Sequence, residues 1–350
     1  MLFSGVLQNM YVAKFSSSSY INRFPVLFGR KLYVIDDEIL EKVNANGSKR
    51  YSHFHAGQFS VDFAIGFDDG DKVAKEQFAK RAKETLPDGF PELHSNARYV
   101  EDSEIEKLFG SWFNDKLNGD GPESESSCAT ESEESLVIVV PGVGGGINEP
   151  QVRSLVYHLL QKGKNVAVIN CRGCCRTPIT TPCMTTDLDT DDLRYHVDSL
   201  HLKFPGKPLH LIGISFGGVL TTNYLAEEAT AGNGDIITSA VSVFTFIMMN
   251  MIKNNKKVLC EHSEYCDEDE ILKDYKTFKT GRQVDDKYVC EMAGFSSSTS
   301  FELAISPMFK TLKIETPMLI LNTLDDPFTS SNYLYFDVQR THICIWLHVT

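Results

Sequence analysis

The residue best suited to act as a nucleophile is a serine placed between glycines. Ser215 lies in the segment 213–218 (GISFGG), which has the spacing G-x-S-x-G and follows the apolar run Leu209–Ile212. A sharp turn between a strand and a helix lifts such a hydroxyl above the sheet, and glycines are needed on both sides because larger side chains would collide. The positive end of the helix favours negative charge beside the serine. The alternative is a glycine-rich turn in which the serine only caps the helix.

A second glycine-rich segment, 141–146 (PGVGGG), follows the apolar run Leu136–Val140. Backbone with so few side chains can bring its N–H groups close to a ligand. Beside a nucleophilic serine, the N–H groups of Val143 and Phe216 would bind the oxyanion of a tetrahedral intermediate. The alternatives are a plain turn and a dinucleotide site, and the dinucleotide fingerprint fails because Ile147 occupies its third glycine position.

A carboxylate that orients a catalytic base follows the serine in sites of this type. Asp325 and Asp326 follow the apolar run 317–322 (PMLILN), separated from it by Thr323 and Leu324. Counted from Pro317, Asp326 falls at the position expected for the acid, and we favour it over Asp325. The alternative is that both aspartates belong to a simple turn.

Clustered cysteines are the remaining candidates for chemistry, as metal ligands. Four lie within 171–183, but no second pair of cysteines or histidines follows at the spacing of a zinc site. The spacing of Cys260, His262 and Cys266 is loose. We therefore expect no metal site and no organic cofactor. Nine cysteines at scattered positions are typical of reduced thiols in an intracellular protein.

These groups need a scaffold, which the alternation of apolar runs and helix-periodic segments predicts. Strand and helix alternate from residue 136 onward, as in a doubly wound, mostly parallel sheet of the α/β class. The run Leu136–Val140 is apolar at every position, which is typical of a strand buried on both faces. The predicted strands are 136–140, 165–169, 209–212, 240–246 and 317–322, and the predicted helices are 149–162, 191–204 and 216–227.

The rest of the chain divides by composition. Residues 1–115 give mixed signals and stay unassigned as a poorly defined N-terminal region. Residues 116–135 are acidic and polar, which predicts a solvated linker or loop. We expect the core over 136–350, interrupted at about 248–312 by a polar segment of the kind that caps an active site.

Charge and hydropathy argue against binding of nucleic acid and against a membrane-spanning helix. The net charge of −13 argues against nucleic acid, since phosphate binding needs basic patches. No run of about 18 apolar residues is present, so no membrane-spanning helix is predicted. The N-terminal residues make a poor signal peptide. We expect an intracellular protein, in the cytoplasm or peripheral to a membrane.

Several segments resemble one branch of the α/β-hydrolases, which contains YheT-like esterases, yeast medium-chain fatty acid ethyl ester synthase/esterases and animal abhydrolase-domain lipid hydrolases. The similarity runs from about Ser135 to about Phe328. In chain order the matching segments are PGVGGGINEPQVRSLVYHLLQKG, NVAVINCRGCCRTPITTP, DDLRYHVDSLHLKFPGKPLHLIGISFGG, TNYLAEE and VDDKYVCEMAGFSSSTSFELAISPMFKTLKIETPMLILNTLDDPF.

This resemblance implies an α/β-hydrolase fold and a serine hydrolase of carboxylic esters. Medium-chain acyl or lipid esters would be the substrates, with acyl transfer to alcohols as a second outcome. It also implies Ser215 as the nucleophile, Asp326 as the acid of the triad, and Val143 with Phe216 as the oxyanion hole. No metal or organic cofactor is implied.

Two features depart from the pattern of this branch. Its members carry a short Trp- and Pro-containing segment before the first core strand, which residues 1–115 lack. They also carry Gly-Gly-His after the last strand, and that histidine is the base. Here the last apolar run ends the chain, and His342 and His348 lie within it, which favours structural roles for both. We therefore expect a C-terminally incomplete fold with impaired catalysis. The alternative is a non-catalytic binding or scaffold protein on a hydrolase fold.

Overall fold

A computed structural model describes residues 23–45, 50–51, 54–108, 135–243, 256–257, 260, 267–277, 281–306, 310–323 and 343–348. Nine strands of these residues form a single sheet. They are β1 (Val26–Ile35), β2 (Gly57–Phe67), β3 (Ala97–Tyr99), β4 (Leu136–Val140), β5 (Asn165–Asn170), β6 (Leu209–Ile214), β7 (Ser239–Val243), β8 (Met318–Thr323) and β9 (Ile343–His348).

The order of the strands is β3-β1-β2-β5-β4-β6-β7-β8-β9. From β5 to β9 every neighbouring pair is parallel. The pairs β1–β2 and β2–β5 are antiparallel, and β3 runs parallel to β1. Chain order is broken around β4, whose neighbours are β5 on one side and β6 on the other. Ligands of such sheets bind beyond the carboxyl ends of the strands at this kind of reversal.

Helices cover both faces of the sheet. Side chains of β4 alternate between two apolar clusters, with Leu136, Ile138 and Val140 in one and Val137 and Val139 in the other. Because both faces are covered, every residue of this strand is apolar. The helices are α1 (Asp37–Ala45), α2 (Lys72–Glu84), α3 (Asp102–Leu108), α4 (Pro150–Gln161), α5 (Asp191–Lys203), α6 (Phe216–Ala231), α7 (Glu268–Thr277), α8 (Gly281–Val284, the π-helical turn Asp285–Val289 and Cys290–Met292) and α9 (Ser298–Ile305).

The N-terminal region belongs to this same sheet, because β1, β2 and β3 all fall within residues 1–115. Arg30 of β1 and Asp62 of β2 are buried side by side, with Arg30 Nε and Nη2 each donating to a carboxylate oxygen of Asp62 at 2.6 Å. Buried charges of this kind interrupt the apolar pattern by which a strand is recognised. The strands before residue 136 and those after it therefore belong to one sheet.

A separate apolar cluster joins α7, α8 and α9 to the loop after β5. This cap cluster packs against Val143, which follows β4. Both loops lie at the carboxyl ends of parallel strands, so the three helices sit over that edge of the sheet. The cluster consists of Cys174, Ile179, Met184, Ile271, Val284, Tyr288, Val289, Cys290 and Phe301. None of the helices that the structure describes is long and apolar enough to cross a bilayer.

Candidate active site

Ser215 occupies the turn between β6 and α6 with a strained backbone. Its φ of 59° and ψ of −121° lie outside the regions that residues with a Cβ normally adopt. Strain of this size persists where the surrounding structure holds it, often at functional sites. The serine side chain makes no capping hydrogen bond to α6, which removes the alternative of a simple helix cap. Ser215 as a whole is partly buried, at the carboxyl edge of the sheet.

The glycines around Ser215 are required by close backbone contacts. A Cβ added to Gly213 would lie 2.3 Å from the carbonyl oxygen of Gly217. A Cβ added to Gly217 would lie 2.0 Å from the carbonyl oxygen of Val140. Both distances are far inside van der Waals contact with backbone that cannot move aside. The turn that presents Ser215 therefore needs a glycine on either side of the serine.

The glycine-rich loop after β4 lies directly beside the serine. A Cβ added to Gly142 would lie 3.3 Å from Ser215 Cβ and 3.7 Å from Ser215 Oγ. The next residue, Val143, and the residue after the serine, Phe216, form no N–H hydrogen bond to any described residue. Two free N–H groups near a hydroxyl can bind the oxygen of a carbonyl that the hydroxyl attacks.

The acid and base positions are only partly described. Asp325, Asp326 and His342 lie outside the described residues. β8 ends at Thr323, just before Asp325, and β9 ends at His348. Among the described residues up to Val243, no hydrogen bond joins Ser215 to a histidine.

A buried and a partly buried carboxyl group lie near this edge, and the sequence predictions include neither. Asp187, between β5 and α5, is completely buried, and neither carboxylate oxygen has a hydrogen-bond partner. Burial, together with the nearby Asp285 of α8, raises the pKa of Asp187 to about 7. Glu149, at the end of the glycine-rich loop, has a buried Oε2 without a partner. Burial raises the pKa of Glu149 to about 7 as well. In sequence both look like ordinary loop or helix-start acids, because only tertiary contacts desolvate them.

The cysteines beside the glycine-rich loop are neutral thiols. Burial raises the pKa of Cys171, Cys174 and Cys175. A Cβ added to Gly146 would lie 2.5 Å from Cys175 Sγ, so the thiol packs on the loop. No group of three or more metal-binding side chains occurs in the part of the chain that the structure describes. His262 and Cys266 fall outside it.

Comparisons with known proteins agree with this geometry. A family profile described as the alpha/beta hydrolase fold matches residues 135–259. The medium-chain fatty acid ethyl ester synthase/esterase 2 of Saccharomyces cerevisiae is 27% identical, over 97% of this chain and 76% of its own length. Monoacylglycerol lipase of the same yeast is 26% identical, over 79% of this chain and 62% of its own. Phospholipase ABHD3 of Mus musculus is 24% identical, over 63% of this chain and 57% of its own. The chain thus spans less than two thirds of the length of this monoacylglycerol lipase and of this phospholipase.

Proposed function

We propose that this chain, an α/β-hydrolase-fold protein related to these yeast and mouse enzymes, hydrolyses carboxylic esters with Ser215 as the nucleophile. The observation that carries the proposal is the strained turn at Ser215, with the backbone of Gly142 next to its hydroxyl. The related proteins are esterases and lipases by name, which supports the same reaction class.

The proposed mechanism has two stages. Ser215 Oγ attacks the carbonyl carbon of the ester while its proton passes to a base, and the carbonyl oxygen becomes an oxyanion. The N–H groups of Val143 and Phe216 donate to that oxyanion. When the intermediate collapses, the alcohol leaves with the proton and an acyl-serine remains. Water then attacks the acyl-serine and releases the acid. An alcohol in place of water would give acyl transfer.

Asp326 is the proposed acid, which would orient the base. The base is the third member of the proposed triad. The sequence led us to expect a weakened enzyme, because neither His342 nor His348 was favoured as base. Without a base, triad hydrolases keep roughly a 10³–10⁴-fold advantage over water from the oxyanion hole and binding. Because β9 ends at His348, on the same edge of the sheet as Ser215, we propose His348 as the first histidine to test.

Medium-chain acyl esters or lipid esters are the proposed substrates. The names of the related proteins support this class. An apolar acyl chain also fits the surroundings of Val143, which packs against the cap cluster on one side and the main core on the other. Burial of apolar chain surface contributes roughly 25 cal/mol per Å². We therefore propose that octanoyl esters have a lower KM than butanoyl esters.

The test is hydrolysis of p-nitrophenyl butyrate and octanoate by the purified 350-residue chain. Ser215→Ala should abolish the activity. Ser103→Ala, on an exposed position of α3, is the matched control and should leave it unchanged. Activity that survives Ser215→Ala contradicts the proposed nucleophile. A folded chain without Ser215-dependent activity contradicts the esterase and favours a non-catalytic binding protein on this fold.

A further inference from the structure

Glu149 closes the glycine-rich loop and precedes α4. Its backbone N–H donates to the carbonyl oxygen of Gly146 at 3.0 Å, and its own carbonyl accepts from the N–H of Arg153 at 2.9 Å. The side chain turns back onto the loop, since a Cβ added to Gly145 would lie 2.4 Å from Glu149 Oε2. The carboxyl group therefore rests against loop backbone, in a space that glycine at position 145 leaves open.

The carboxyl group of Glu149 lacks the partners that normally stabilise a charge. Its Oε2 atom is buried without a hydrogen bond. The side chain does not cap α4, although it stands at the N-terminus of that helix. Burial raises the pKa of Glu149 to about 7, so desolvation outweighs the favourable end of the helix. Near neutral pH the group changes between a neutral and a charged form.

The titratable groups around Glu149 offer no compensating cation. Cys174, in the loop after β5, interacts electrostatically with it and stays neutral, because burial raises its pKa to about 12. Arg153, one turn along α4, directs its guanidinium to the carbonyl oxygens of Phe24 (2.7 Å) and Val26 (2.8 Å) instead. Within the described residues Glu149 thus has no charged partner.

Two short contacts connect Glu149 to the nucleophile. The N–H of Gly145, against which the carboxyl packs, donates to the carbonyl oxygen of Gly142 at 3.0 Å. Gly142 in turn is the loop residue that borders Ser215. Val143, the proposed oxyanion donor, lies between these two glycines. A change of charge at Glu149 therefore acts on a tight turn that holds the donor.

We propose that Glu149 is a positioning residue of the esterase site. Its neutral carboxyl packs on Gly145 and holds in place the glycine-rich loop that carries Val143, and its ionisation weakens the stabilisation of the oxyanion by that loop. This inference rests on the proposed function. The neutral carboxyl fills the space over Gly145 without a charge. The carboxylate adds a negative charge to the loop at the moment when an oxyanion forms beside it. Since the substrate ester is neutral, the charge opposes the intermediate and not the binding of substrate, so it lowers kcat and leaves KM unchanged.

The experiment measures kcat and KM for p-nitrophenyl octanoate from pH 5.5 to 9. The variants are Glu149→Gln, which keeps the shape without the charge, Glu149→Ala, which removes the seat, and the exposed Glu76→Gln as control. We expect kcat of the unaltered chain and of Glu76→Gln to fall, relative to Glu149→Gln, by roughly tenfold across pH 7. One charge acting through an effective dielectric near 20 gives an effect of that order. Glu149→Ala should lower kcat at every pH.

A pH profile for Glu149→Gln that matches the unaltered chain overturns the inference, and so does a change confined to KM. Binding of butylboronic acid, which forms a tetrahedral anion on a serine, supplies a second measurement that needs no turnover. Above pH 7 its affinity should be lower for the unaltered chain than for Glu149→Gln, and the two affinities should converge below pH 7. Ser215→Ala separates the two claims. If it changes neither turnover nor boronate binding, the proposed function fails first. If it abolishes both while Glu149→Gln changes nothing, only the role of Glu149 fails.

Discussion

The backbone of His348 pairs in register with that of Thr323, so the last residues of β9 and β8 end side by side. Both strands are parallel to β6, which ends just before Ser215. The carboxyl ends of parallel strands lie at one edge of the sheet, so the backbone of His348 stands at the same edge as Ser215. Among the described residues it is the histidine best placed along the chain to act as the base.

We expect His348→Ala to lower the Ser215-dependent kcat by roughly 10² or more, the usual contribution of a general base. The comparison uses His201→Ala, since His201 is exposed on α5, and rates with p-nitrophenyl butyrate at pH 8. His201→Ala should behave like the unaltered chain. Equal rates for His348→Ala and the unaltered chain would show that the base lies elsewhere.

Gly217→Ala should destabilise the protein by about 3 kcal/mol or more, because the new Cβ would lie 2.0 Å from backbone. Gly206→Ala is the matched control, since its φ is 78° and nothing lies within 4 Å of the added atom. Its cost is conformational only, about 1 kcal/mol. Urea denaturation of both variants measures the difference. Similar losses would mean that the contact with the carbonyl oxygen of Val140 relaxes without cost.

Asp187 should make the protein less stable as the pH rises from about 4 to about 7. Its pKa is about 7 in the folded state and 3.8 as an ordinary aspartate, so the folded state binds the proton more tightly. The stabilisation is fully present below pH 4 and is lost as the pH passes 7, at most about 4 kcal/mol. The groups that face it are Asp189 in its own loop, Asp285 of α8 and Lys310.

Thermal melts of Asp187→Asn from pH 4 to 8 check this dependence. The variant should lose the part of the slope between about pH 4 and about pH 7 that Asp187 causes, and should melt above the unaltered chain at pH 8. Asp235→Asn, on an exposed turn, should keep the slope. Identical slopes in all three proteins would mean that the carboxylate of Asp187 is better solvated than its burial indicates.

Asp62→Asn should cost about 3–5 kcal/mol, because it leaves the buried Arg30 guanidinium without its counter-charge. The exposed pair of Lys42 and Glu38 in α1 is the control, and Glu38→Gln should change stability by less than about 1 kcal/mol. Guanidinium denaturation would separate the two if the ionic strength is held constant with sodium chloride. A small effect at Asp62 would mean that the remaining acceptor of Arg30, the carbonyl oxygen of Cys175 at 2.6 Å, is enough to stabilise the guanidinium.

The strands that the sequence predicted best are those buried on both faces. The predicted strand 136–140 coincides with β4, and 165–169 and 209–212 fall within β5 and β6. The doubly wound sheet and the resemblance to the esterase and lipase branch are confirmed. β1 was missed and β2 was left unassigned, because Arg30 and Asp62 break the apolar pattern of these two strands. The ion pair between Arg30 and Asp62 forms only when β1 and β2 lie side by side, so neither strand segment reveals it alone.

The site divides in the same way. The spacing G-x-S-x-G was enough to find Ser215 and its glycines. The structure shows why that spacing is needed, because a Cβ at Gly213 or Gly217 would collide with backbone. The roles of Val143 and Phe216 stay predictions, and Asp326 lies outside the described residues. Glu149 and Asp187 could not have been found, because what distinguishes them is desolvation by segments far away in the chain.

The antiparallel pairing of β2 with β5 has a consequence for synthesis on the ribosome. Val61 pairs with Ile169, about a hundred residues later. At roughly 5–20 residues per second, the hairpin-like pair β1–β2 waits roughly 5–20 s for the strand that covers its inner edge. An unpaired strand edge is a template for association with other chains. Until β5 has been synthesised, the edge of β2 that faces it is therefore open to pairing with other chains.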